Sequence, residues 1–72
     1  MNPAVEAVEA LAGAQRIVGA LARSYDSAVE ATVELRTVAE ILVRALRLER
    51  EGVESDAVLA ELPAYWEQQV RR

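Results

Sequence analysis

The sequence predicts an all-α fold: a small three-helix bundle, or a helical hairpin followed by a short C-terminal helix kinked at Pro63. Three observations lead there. Apolar residues recur at helical spacing through most of the chain. Ala, Leu, Glu and Arg, all strong helix formers, dominate the longest patterned stretch. Gly and Pro are few, at 3 and 2, and two of the five, Pro3 and Gly52, stand where a helix should begin or end. The 72 residues suffice for one small domain spanning 1–72.

The first helix is expected over residues 3–23. Pro3 suits a first helical turn, with Asn2 as its N-cap. At about 100° per residue, Ile17, Ala10, Leu21, Ala14, Ala7, Val18 and Leu11 share one arc, and Glu9, Arg16 and Arg23 share the opposite one. Gly13 and Gly19 lie off the centre of the apolar arc and read as tolerated helix glycines. The sharper reading makes them points of flexibility or of close backbone crossing.

Ser24-Tyr25-Asp26-Ser27 is the joint. Ser and Asp favour caps and turns, which places a break at residues 24–27. Against that, the heptad phase runs on without a step: Leu11, Val18, Tyr25, Thr32, Ala39 and Leu46 are spaced by seven. The alternative architecture is therefore one long helix over 3–51 in an intermolecular coiled coil, about 73 Å in length.

The central helix is expected over residues 27–51, and the other segments are expected to cover its apolar face. Ala31, Leu35, Val38, Ala39, Leu42 and Leu46 form a wide apolar arc. Ser27 and Glu30 match a capping box. Gly52 suits a left-handed C′ position, with Val53 touching Leu48 as in a Schellman ending. On the polar side, Glu40 stands four residues from both Arg36 and Arg44, and Glu51 four from Arg47, the spacing of exposed intrahelical ion pairs. Val29, Val33, Ile41 and Leu48 interrupt that polar side. They read either as scattered exposed apolar residues, which are ordinary, or, through Val33, Ile41 and Leu48, as a secondary contact stripe for the third helix or for another subunit.

The third helix is expected over residues 55–71. Ser55 is the candidate N-cap, and Asp56 complements the N-terminal dipole. Val58, Leu59, Leu62, Trp66 and Val70 keep helical spacing, and Pro63 inside that pattern should kink or split the helix. Tyr65 and Trp66 read as packing against the central helix, with anchoring of a partner chain as the second reading. Arg71 and Arg72 sit where a helix C-terminus favours positive charge.

Composition removes much chemistry. The chain has no His and no Cys, so the commonest general base, the thiol nucleophile and the usual soft or imidazole metal ligands are missing. Ser24, Ser27 and Ser55 lack an activating motif, and the glycines match no phosphate-binding spacing. The expectation is a non-enzyme with no catalytic, cofactor-binding or metal site and no small-molecule substrate. The formal charge of −4 disfavours general nucleic-acid or anionic-membrane binding. Arg36, Arg44, Arg47 and Arg50 are the single candidate basic patch, read as a solvated, salt-bridged face. No apolar run is long enough for a transmembrane helix, and Glu6 and Glu9 are out of place in a secretory signal.

The expected function is a cytoplasmic helical assembly or adaptor protein that binds protein chains and self-associates as a homo-oligomer. Val33, Ile41, Leu48, Tyr65 and Trp66 are its candidate interface residues. The alternative is a small bacterial or phage regulatory protein that modulates a host protein or a transcription complex. All eight basic residues are Arg, which fits a high-GC coding sequence.

Overall fold

The computed structural model describes residues 2–71. It is all-α. Helix α1 spans Pro3–Ala10, α2 Ala12–Ser24, α3 Thr32–Ala45 and α4 Ser55–Val70, with one 3-10 turn at Leu48–Glu51 between α3 and α4. Among the described residues there is no strand, so the expected fold class holds while its helix boundaries change.

The expected first helix is two helices. Leu11 is extended, at φ −96° and ψ 101°, and the chain turns there. Asn2 Oδ1 accepts the Ala4 N–H at 2.9 Å, and Asn2 Nδ2 donates to Glu61 Oε1 of α4 at 3.1 Å. The cap therefore also ties α1 to α4. Ala4 and Val8 are buried on α1, and Ala14 and Val18 on α2. The break swings the buried arc round between the two helices. This leaves Ala10 and Ile17, at one edge of the predicted arc, on the surface. Gly19 is buried, and a Cβ built there would lie 3.3 Å from Gln69 Oε1. The contact is with the tip of a side chain rather than with backbone, so Gly19 stands as a tolerated helix glycine where α2 passes the end of α4.

The joint breaks the long helix. Helix α2 ends at Ser24, whose Oγ donates to the Ala20 carbonyl at 3.2 Å. Tyr25 is extended at φ −128° and ψ 144°, and its N–H still caps the Leu21 carbonyl. Half of the expected capping box forms. Ser27 Oγ accepts the Glu30 N–H at 3.2 Å, and the Glu30 carboxylate accepts the Asp26 N–H at 3.1 Å, one residue earlier than the ideal box. One helical turn follows, closed by Ala31 N–H to Ser27 C=O at 3.2 Å, before α3 proper begins at Thr32. Local polar side chains decided this joint over the continuous heptad phase. The continuous helix over 3–51 is not formed.

Helix α3 ends at Ala45, six residues short of the expected stop. Arg47 takes the left-handed conformation, φ 54° and ψ 39°. The chain then makes a 3-10 turn and ends it with the predicted Schellman motif. Val53 N–H donates to Leu48 C=O at 3.0 Å, Gly52 N–H to Glu49 C=O at 3.2 Å, and Gly52 has φ 77°. Leu48 and Val53 are both buried, the apolar contact that accompanies this ending. A left-handed non-glycine residue costs about 1–2 kcal/mol. Arg47→Gly should therefore stabilise the fold by about 1 kcal/mol, after the greater freedom of glycine in the unfolded chain is counted. That gain corresponds to roughly 4–8 °C in Tm for a domain of this size. A thermal melt by circular dichroism that shows no rise would mean the Arg47 side chain stabilises the turn by an equal amount.

Helix α4, not the central stretch, organises the packing. It touches α1, α2 and α3, while α2 and α3 meet only sparsely. Val58, Leu62, Tyr65 and Trp66 are buried on it, and Leu59 packs partly. These positions lie within an arc of about 120° at 100° per residue, so the three neighbours share one broad face of α4. Its N-cap is Glu54 rather than Ser55, with no side-chain cap bond. The helix runs through Pro63 to Val70 without being split. Arg71 N–H donates to Glu67 C=O; the expectation for Arg72 lies outside the described residues.

Candidate functional site

Three of the five sequence-predicted interface residues lie in the core of this chain. Leu48, Tyr65 and Trp66 are 5 %, 8 % and 3 % exposed. Leu48 leaves the line of Val33 and Ile41 because α3 ends before it and the left-handed step at Arg47 turns it inward. Tyr65 and Trp66 take the first of their two readings, packing inside the chain. Helix α4 packs against α3, the central helix, as expected, and meets α1 and α2 as well. The Trp66 indole N–H is buried with no hydrogen-bond acceptor, a cost of about 1–3 kcal/mol that the ring's apolar burial must exceed. Because Trp66 is already buried within one chain, a blue-shifted emission does not distinguish a monomer from an oligomer.

The other two, Val33 and Ile41, are 73 % and 57 % exposed. Val29, in the turn before α3, is 83 % exposed. With Thr37 and Ala45, both exposed, they form a row spaced by four residues along the outer side of α3. Side chains four apart are neighbours on a helix surface and make one of its two kinds of ridge. The row is about 24 Å long at 1.5 Å per residue. Thr37 Oγ1 donates to the Val33 carbonyl at 3.2 Å, so its hydroxyl is already paired within the helix. A shallow depression lined by Thr37, Glu40, Ile41, Arg44 and Ala45 lies along the C-terminal half of the row. Reading helix α3 as longer than it is pulled Leu48 into the predicted stripe; the four-residue spacing Val29, Val33, Thr37, Ile41 was the better signal.

The charges beside this row are not arranged as expected. Among the described residues the one ion pair within 4.0 Å is Arg36 Nη1 to Asp56 Oδ1, at 3.4 Å, joining α3 to α4. Both side chains are well exposed, so the pair adds at most a fraction of a kcal/mol, on the order of 0–1. The intrahelical pairs of Glu40 with Arg36 and Arg44, and of Glu51 with Arg47, are not formed. Arg47 and Arg50 lie beyond the end of α3, so the four arginines do not make a patch on one helix.

Tyr25 and Glu34 lock the joint from the side. Tyr25 Oη donates to Glu34 Oε1 at 2.8 Å. The hydrogen bond to the Glu34 carboxylate, then partial desolvation, then the Glu34 charge, all raise the Tyr25 phenol above its ordinary value. A raised folded-state value stabilises the fold below the unfolded phenol's pKa, near 10, and that stabilisation fades as pH rises through the folded value. The group is too exposed for this to be more than a local effect.

No helix among the described residues is long and apolar enough to cross a membrane. Comparison with models of known protein families, with curated proteins and with solved structures finds no match.

Proposed function

We propose that this chain is a non-catalytic helical assembly protein whose activity is to bind protein chains through the outer face of α3. The observation that carries the reading is the row Val29, Val33 and Ile41. These are the three most exposed of the large apolar side chains; Val33 and Ile41 stand on the outer side of α3, and Val29 continues their spacing in the turn before it. Aliphatic side chains exposed singly are ordinary; aligned on one ridge, they make a surface of the kind helical partners use. The absence of His and Cys supports the non-catalytic part. A cysteine-free, acidic chain fits a cytoplasmic setting.

A photo-reactive amino acid placed at Glu40, beside the row, tests this in the host cell. Discrete protein adducts are expected from position 40. None is expected from the same group at Glu67, which is exposed on α4. Equal labelling from the two positions, or no adduct from position 40, would remove α3 as a binding face.

A further inference from the structure

We propose that the occupant of this face is a second copy of the chain, docked antiparallel across a two-fold axis at Thr37. The proposal rests on the reading of α3 as a binding face and adds the identity and orientation of what covers it. The argument is charge complementarity along the helix. The outer side carries Arg44 towards the C-terminal end of α3 and Glu30 in the turn before its N-terminal end, where one Glu30 carboxylate oxygen already accepts the Asp26 N–H, on either side of Thr37. Glu30 and Arg44 are both exposed, and neither has an ion-pair partner within its own chain among the described residues.

A two-fold axis through Thr37 places residues equally spaced about it opposite one another. Val33 then faces Ile41 of the second copy, Glu30 faces Arg44, and Val29 faces Ala45. Each contact occurs twice, as an isologous interface demands. A parallel pairing would instead bring Glu30 to Glu30 and Arg44 to Arg44, which is repulsive at both ends. Thr37, on the axis, has its hydroxyl paired to the Val33 carbonyl, so covering it leaves no unpaired group. One helix face on each side makes a small interface, and small interfaces are weak and reversible. The dimer should therefore assemble with rising concentration and stop at two chains.

The chain has no cysteine, which makes the geometry directly testable. Thr37→Cys puts two thiols on the axis, where facing Cα atoms come within the reach of a disulfide. Under mild oxidation the Thr37→Cys protein should form covalent dimers faster than an Ala20→Cys control, whose thiol lies on exposed α2. In sedimentation equilibrium from low micromolar to near millimolar, mass should rise from one chain to two. Ile41→Glu should weaken association by more than about tenfold while circular dichroism shows unchanged helicity. Arg44→Glu should also weaken it, and Glu30→Arg combined with Arg44→Glu should restore it.

A monomer at every concentration, or Thr37→Cys crosslinking no faster than Ala20→Cys, overturns the proposal. Failure of the two readings is distinguishable. If the purified chain stays monomeric while position 40 still labels a different protein in cells, self-docking falls and the binding face stands. If both experiments are blank, both fall.

Discussion

Leu62→Ala should remove about half of the stability of the fold. Leu62 is 0 % exposed and sits midway along α4, the helix that touches all three others. Truncating a buried leucine removes its transfer free energy and leaves a cavity, together about 2–5 kcal/mol. The site allows little collapse, because the surrounding helices are held apart by Val58 on one side and by Tyr65 and Trp66 on the other, all buried. A domain of 72 residues has a total stability on the order of 4–11 kcal/mol at the usual per-residue range. The loss is therefore a large part of the whole. Urea titration followed by circular dichroism should show the midpoint falling by roughly half. A loss under about 1 kcal/mol would mean that α4 is not the organising helix.

Pro63→Ala should act in the opposite direction. Pro63 lies inside α4, past its second turn, where it cannot donate to the Leu59 carbonyl and its ring crowds the preceding turn. Proline in a helix interior costs about 3 kcal/mol relative to alanine. Part of that is offset, because proline also restricts the unfolded chain by about 0.4–1 kcal/mol and its half-buried ring packs against the fold. A net gain of about 1–2 kcal/mol is expected, or several degrees to over ten in Tm. If Pro63→Ala melts lower than the parent chain, a bend at Pro63 is what fits α4 against its three neighbours. The residue would then be retained for shape at the expense of helix propensity.

The two substitutions bear on how the fold is written in the chain. The all-α class was legible because helical spacing, helix-forming residues and sparse Gly and Pro all point one way. The local signals held where their chemistry is complete within a few residues. Asn2 caps α1, Ser27 and Glu30 make half of the expected capping box on the turn ahead of α3, and Gly52 with Val53 and Leu48 makes the Schellman ending. Val33 and Ile41 were legible as exposed apolar residues for a similar reason, since a helix already well supplied with an inner face must present them outward.

What remained was decided by the tertiary structure. The break at Leu11 and the left-handed Arg47 carry no Gly, Pro or capping residue, so nothing local announces them. Each redirects the chain so that a neighbouring segment buries apolar side chains: Ala4 and Val8 in α1, and Leu48 and Val53 at the turn. The central role of α4 was hidden in the same way. In α4 the buried side chains share one arc, but Ala57, Ala60 and Ala64 stand exposed on the other side and blur its one-sided pattern, whereas α3 carries Arg36, Thr37, Glu40 and Arg44 there and shows a strong one. Periodicity reports how one-sided a helix is. Which helix the others gather around depends on the area that all of them bury together, and only the folded chain fixes that.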